Sequence, residues 1–138
     1  KTHTESTSKH MTQAELAVLV AEDNEDIREL VVHQLRRMGV HVLQAENGRA
    51  ALDLALTQQP ALVLMDMDMP VMTGFEAVAE LRLRGYTKPI YALTGHGEGP
   101  EAERALSSGC DALLAKPIRS DVLRAHVQSV LARPGVDL

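Results

Sequence analysis

The chain has 138 residues, 45% hydrophobic and 24% charged, proportions that fit one globular domain and exclude a wholly disordered chain. Its 19 acids against 14 Lys and Arg give a net charge of −5 with no basic run, and its aromatics are Phe75, Tyr86 and Tyr91, which disfavours nucleic acid or an anionic membrane as the main partner. The longest apolar stretch, Leu16 to Ala21, is six residues, too short for a transmembrane helix or a signal-peptide core, and the lone Cys110 fits a reducing, cytoplasmic compartment.

Lys1 to His10 is polar, rich in Thr and Ser and without periodicity, so residues 1–14 read as a disordered leader or an artificial remnant. His10-Met11 is equally consistent with an internal start and with a natural linker from an upstream domain. The folded unit is expected over residues 15–133, with a tail at 134–138. Ala17 to Ala21 predicts a first strand. Ile27, Leu30, Val31, Leu35 and Met38 then recur at helical spacing, with Asn24 able to cap the start and Gly39 placed to end it. Val40 to Ala45 predicts a second strand, whose His41 and Gln44 suit a sheet edge. After Asn47-Gly48, an Ala- and Leu-rich helix covers Arg49 to Leu56 and closes before Pro60. Ala61 to Met65 is a third strand ending at Asp66, and a loop through Pro70 and Gly74 leads to a helix from Phe75 to Arg84. Pro89 to Leu93 is a fourth strand ending at Thr94. A Gly-rich stretch, Gly95 to Pro100, precedes a weak helix from Glu101 to Ser108. Asp111 to Ala115 is the fifth strand, ending at Lys116-Pro117, and Asp121 to Leu131 is the last helix, with Ser120 as its cap.

Strands alternating with helices imply a parallel sheet covered on both faces, and the nearly continuous apolar strands agree. Right-handed crossovers then predict a single doubly wound α/β domain, (βα)5, with five strands in the flavodoxin-like order 2-1-3-4-5. In such a sheet the C-terminal strand ends line one edge, where ligands bind at the switch in winding direction. Glu22 and Asp23 after the first strand and Asp66 after the third meet there, with Thr94 and Lys116 alongside.

Three clustered carboxylates repel one another, burial raises the cost, and one Lys cannot neutralise them. A divalent cation can, and all-oxygen ligands point to Mg2+ or Mn2+ over zinc. An aspartate beside such a cation, an ammonium and a hydroxyl is suited to accept a phosphoryl group. Each acid taken alone is as well explained as a cap on the next helix; five matched positions are not.

The segments Val18 to Asn24, Leu64 to Gly74, Ile90 to Gly95 and Gly109 to Ile118 resemble, in order and spacing, the response-regulator receiver domain of bacterial two-component signalling. The wording is most similar to receivers attached to hybrid sensor kinases. The resemblance implies that Asp66 is the phosphoacceptor, that Glu22 and Asp23 bind Mg2+ and that the backbone carbonyl of Asp68 completes the metal site. It implies further that Thr94 is the switch hydroxyl, that Lys116 contacts the phosphoryl oxygen and that the bond before Pro117 is cis. The phosphodonor would be a phosphohistidine on a histidine kinase or a histidine phosphotransfer domain, with an output domain or protein downstream. Ile27 and Ile118, flanking the site, would dock that donor, ordinary packing being the alternative.

Four positions depart from the family pattern or modulate it. Leu113 stands where many relatives carry an aromatic switch residue and offers no phenol hydroxyl. Glu22 replaces the commoner Asp, with a longer arm expected to reach the metal through water. Asp68 and His96 hold the two positions that tune phosphoryl lifetime in relatives. Met65, Met67, Met69 and Met72 are read as packing around the acceptor loop, Cys110 as a small packed residue, and His33 and His41 as solvent-facing.

Two other functions remain open at this point. Asp66-Met-Asp68 echoes the nucleophile motif of haloacid-dehalogenase-type phosphatases, although Pro70 breaks that motif and the acidic pair precedes the nucleophile. A degenerate receiver that only binds protein is the second, but it would be expected to have lost an acid or the Lys.

Overall fold

A computed structural model describes residues 17–95 and 98–131. The leader, the C-terminal tail, Gly97 and His96 lie outside the described residues. Among the described residues β1 (Val18–Ala21), α1 (Glu25–Arg37), β2 (Val42–Ala45), α2 (Gly48–Gln58), β3 (Leu62–Asp66), α3 (Gly74–Leu83), β4 (Ile90–Thr94), α4 (Pro100–Ser108), β5 (Ala112–Ala115) and α5 (Ser120–Leu131) alternate along the chain. The strands form one parallel sheet in the order β2-β1-β3-β4-β5, so the doubly wound topology expected from the sequence is the one present.

Alternation along the central strands divides the core into two layers. Leu19, Ala21, Val63 and Met65 face α2 and α3, meeting Leu52, Ala55, Val78 and Leu81. Val18, Val20, Leu62 and Leu64 point the other way, onto Val31 and Leu35 of α1 and Leu123 and Val127 of α5. β1 and β3 are buried throughout, which is why both read as unbroken apolar runs. β2 lies at one edge, with Gln44 exposed as its polarity predicted.

Local chemistry fixes the helix ends. The Asn24 side chain accepts from the Ile27 N–H at 3.0 Å, and Asn47 does the same for Ala50 at 2.8 Å. Thr73 and Glu76 make a reciprocal capping box at the start of α3. The expectation for Ser120 needs correcting. The first α5 bond runs from the Leu123 N–H to the Arg119 carbonyl at 3.0 Å, so Arg119 is the capping position and Ser120 lies inside the helix.

The edge of the sheet opposite those strand ends is held by two side chains. Arg82 of α3 donates to the carbonyls of Gly109 at 3.0 Å, Tyr86 at 2.7 Å and Lys88 at 2.8 Å, and pairs with Asp111 at 2.8 Å. The buried Tyr86 hydroxyl donates to the Pro60 carbonyl at 2.7 Å. These contacts tie α3 to the starts of β4 and β5, leaving the other edge open for chemistry.

Candidate functional site

Register brings the strand ends level. Ala21 pairs with Met65, so Glu22 and Asp66 follow side by side, while Asp66 pairs with Leu93 and Thr94 with Ala115. The Lys116 N–H donates to the Thr94 carbonyl at 2.8 Å, carrying the β4–β5 ladder one residue further and setting Lys116 beside the acids. Among the described residues the buried polar side chains are Glu22, Asp66 and Thr94, 1%, 4% and 3% exposed. All three stand at this one edge, where burial of polar groups calls for partners or for function.

The Lys116 ammonium bridges the acids, 2.8 Å from Glu22 Oε1 and 3.1 Å from Asp66 Oδ1. Glu22 Oε2 accepts from the Asn24 N–H at 3.1 Å, and Asp66 Oδ1 accepts from the Asp68 N–H at 3.3 Å. Burial pushes the Asp66 carboxyl up to about 7; the hydrogen bond from Lys116 opposes this and the Glu22 charge adds to it. Burial pulls the Lys116 ammonium down, but its hydrogen bonds to Glu22 and Asp66 outweigh that and leave it above its ordinary value.

One carboxylate oxygen from each of Glu22, Asp23 and Asp66 lies within 4.8 Å of the others, with Asp23 exposed and the other two buried. Three hard oxygen donors at that separation, with the single charge of Lys116 beside them, suit Mg2+ or Mn2+. The raised Asp66 carboxyl fits the same conclusion, since a cation would restore its charged form.

The surroundings are built from close backbone approaches. A Cβ at Gly74 would stand 2.3 Å from the Asp66 carbonyl oxygen, and one at Gly48 would stand 2.1 Å from that of Met72. Those glycines let α2 and α3 clamp the loop after Asp66, through hydrogen bonds from Gly48 to Met72 at 3.0 Å and from Gly74 to Met67 at 3.1 Å. Within the loop the Met72 N–H donates to the Pro70 carbonyl at 2.7 Å, forcing exposed Val71 to a φ of +70°. Met65, Met67 and Met69 are buried in the core, as expected of packing residues.

The remaining expected residues fall as follows. Asp68 is exposed beside Asp66, and the Lys116–Pro117 peptide is cis. Leu113 is half-buried and packs on the α2–α3 side of the sheet. Ile27, Leu30, Val31, Lys116, Pro117 and Ile118 line an apolar hollow of about 300 Å3 next to the acids. Cys110 is buried, and burial pushes its thiol up to about 11, so it offers no thiolate near neutrality. His33 and His41 are exposed. Two contributors were not expected from the sequence. Arg28 donates to the Glu22 carbonyl at 2.8 Å and to the Gln44 side chain at 3.2 Å, bracing the acidic loop. Glu101 of α4 accepts a hydrogen bond from the Thr94 hydroxyl at 2.8 Å. Neither leaves a sequence signal beyond a charged residue in a helix's first turns, because each partner lies across a loop.

Known proteins are similar to this chain. The family model described as the response regulator receiver domain matches residues 18–128. Sensor protein EvgS of Escherichia coli is 36% identical over 115 residues, 83% of this chain and 10% of EvgS, so the chain spans about a tenth of that relative's length. Among solved structures, chemotaxis protein CheY4 of Vibrio cholerae superposes with a TM-score of 0.77 at 34% identity, covering 83% of this chain and 98% of that one. The receiver domain of sensor histidine kinase PA1611 from Pseudomonas aeruginosa, solved with a magnesium ion coordinated in its active site cleft, matches with a TM-score of 0.78 at 31% identity, covering 83% and 96%.

Proposed function

The chain belongs to the response regulator receiver domain family of two-component signalling, and from that premise we propose that it takes a phosphoryl group from a phosphohistidine onto Asp66 and signals by the change in conformation that follows. The observation that carries this is the cluster itself. Glu22, Asp23 and Asp66 offer oxygens within 4.8 Å of one another, and Lys116 bridges Glu22 and Asp66 at 2.8 and 3.1 Å.

A carboxylate oxygen of Asp66 attacks phosphorus while the phosphorus–nitrogen bond to the donor histidine breaks, giving an acyl phosphate and a free imidazole. Glu22, Asp23, Asp66 and the backbone carbonyl of Asp68 would hold Mg2+, with Mn2+ able to substitute. The bound cation would offset negative charge on the transferring oxygens and favour ionised Asp66. Lys116 offers a second positive charge within 3.1 Å of the acceptor, and Thr94 supplies the hydroxyl that binds the product phosphoryl. Asp68 and His96 hold the sequence positions that tune phosphoryl lifetime in relatives. Leu113 leaves the switch without an aromatic hydroxyl, so the response rests on Thr94 and Lys116. Charge-assisted hydrogen bonds contribute roughly 1.5–3 kcal/mol each, and a shift from 1:99 to 99:1 needs about 5.5 kcal/mol. Two such contacts reach that only at their upper end, so the shift is graded.

The receiver unit is assigned to residues 15–133 and is not a conventional enzyme, since its turnover is confined to its own acyl phosphate. The donor is a histidine kinase or histidine phosphotransfer domain, and the hollow between Ile27, Leu30 and Ile118 offers it an apolar seat beside Asp66. An output domain or protein receives the signal on the cytoplasmic side, with no nucleic acid or membrane contacted by this domain. Among the described residues no helix is long and apolar enough to cross a membrane.

Incubation with acetyl phosphate and Mg2+, followed by intact mass, tests this. One added phosphoryl is expected on the wild type and none on Asp66→Asn. No gain on the wild type, together with failure to bind beryllofluoride, would sink the assignment. Saturable turnover of a generic phosphate ester would instead favour a phosphatase.

A further inference from the structure

Thr94 ends β4 with a hydroxyl that carries one proton. That proton is committed: it lies in a 2.8 Å hydrogen bond to Oε1 of Glu101, the second residue of α4. The bond joins side chains seven positions apart and closes the β4–α4 loop. On its far side stands the first turn of α4. The N-cap Gly99 makes no side-chain hydrogen bond, and the residues α4 buries are Ala102 and Ala105.

We propose that Glu101 is a positioning residue that holds the Thr94 hydroxyl away from the acceptor, so that its carboxylate and a phosphoryl group on Asp66 compete for one proton. The proposal rests on the receiver function assigned above and adds how that site is restrained before it is phosphorylated. A phosphoryl oxygen carries more negative charge than one carboxylate oxygen and is the stronger acceptor once present. Turning the hydroxyl toward it breaks the bond to Glu101. The first turn of α4 is then released at the moment the phosphoryl group is bound. Glu101 thereby links an event at Asp66 to the first turn of α4, and it sets a threshold: the new bond must outcompete the old one.

Beryllofluoride binding at saturating Mg2+, followed by calorimetry on the full chain, tests the competition directly. The variants are Glu101→Ala, Glu101→Gln, Thr94→Val and the double variant of Glu101→Ala with Thr94→Val. Loss of one competing hydrogen bond tightens binding by about five- to tenfold in Glu101→Ala. Glu101→Gln, which keeps a neutral acceptor in an exposed and readily folded setting, falls between that variant and the wild type. In the Thr94→Val background the same Glu101→Ala change alters affinity less than about twofold, because no hydroxyl remains to be released. An equal gain in both backgrounds would mean simple charge repulsion and overturn the proposal, as would no gain with Thr94 present. A wild type that neither binds beryllofluoride nor takes a phosphoryl group from acetyl phosphate removes the receiver assignment itself, and the competition with it. Wild-type binding without a Glu101 effect removes only the competition.

Discussion

Asp66 is a carboxyl held out of water with a second buried acid beside it, and those two facts set its behaviour. Burial first, and the Glu22 charge after it, carry its carboxyl to about 7 against the Lys116 hydrogen bond, whereas an unfolded aspartate titrates near pH 3.9. The folded form therefore binds the proton more tightly than the unfolded one. Its stabilising contribution is complete below about pH 4 and is lost as pH rises through about 7. In a metal chelator, wild type and Asp66→Asn are expected to melt together near pH 4. By pH 8 the variant should be the more stable by roughly 5–10 °C. Glu22, which Lys116 holds at 2.8 Å, is left in place by the substitution, so the comparison isolates the Asp66 carboxyl. A gap that does not widen with pH, in thermal melts followed by circular dichroism, would contradict the raised carboxyl. The positions of Glu22, Asp66, Thr94 and Lys116 were legible in the sequence because each closes an apolar run whose end the topology brings to one edge. The Thr94–Glu101 and Arg28–Glu22 contacts were not, since loop paths decide them.

Between elements, the contacts that shape the site are backbone against backbone. α3 begins where β3 ends, and its first residue, Gly74, packs so closely that a methyl would stand 2.3 Å from the Asp66 carbonyl oxygen and 2.7 Å from the Met67 Cα. Neither is the movable tip of a flexible side chain, so Gly74→Ala must displace the loop after Asp66 or tilt the helix. A loss of about 1–3 kcal/mol in urea denaturation is expected, the range of overpacked interiors, with weaker Mg2+ binding because the same shift moves Asp66. Gly95→Ala is the control: a methyl there meets nothing within 4 Å, and its cost should stay within about 0.5 kcal/mol. A Gly74→Ala protein as stable as the wild type and binding Mg2+ equally well would show that the loop is not clamped. The elements themselves were readable, since Asn24 and the apolar period at Ile27 to Met38 specify α1 almost residue by residue. Harder to read were contacts between elements, such as Arg82 collecting the carbonyls of Gly109, Tyr86 and Lys88. An arginine on a helix face carries no mark of the loops that will fold against it. The Ser120 expectation failed for a related reason: a serine before an apolar period can sit at the cap or one residue inside, and the backbone bond of Arg119 decides which.

Across the whole molecule, the two core layers anchor the helices unequally, and the weak member is the one beside Thr94. α1 buries Val31, Val32 and Leu35; α2 buries Leu52 with Ala51 and Ala55; α3 buries Phe75, Val78 and Leu81; α5 buries Leu123, Val127, Val130 and Leu131. α4 buries Ala102 and Ala105 alone. At about 0.8 kcal/mol for each buried CH2 group, replacing branched side chains by methyls leaves α4 several kcal/mol less anchored than its neighbours. Its Arg104 guanidinium lies 3.9 Å over the Phe75 ring, a contact that spans α4 and α3 without filling the core. A helix held mainly by surface contacts opens without unfolding the sheet. Native-state hydrogen exchange should therefore give the α4 amides the lowest opening free energy of the five described helices, with β1 and β3 near the global value. Adding Mg2+ and beryllofluoride should change exchange chiefly in α4 and the end of β4, while β1, β3 and α2 keep their pattern. If α4 instead exchanges only with global unfolding, it is too firmly seated to carry the signal, and movement must be sought at β5 and α5. On the proposed function, the distribution of small and large apolar residues along the chain sets where a phosphoryl group at the sheet edge would be felt. The added phosphoryl charge would be received among the three carboxylates and the lysine, and the alanines of α4 would let that helix respond to it.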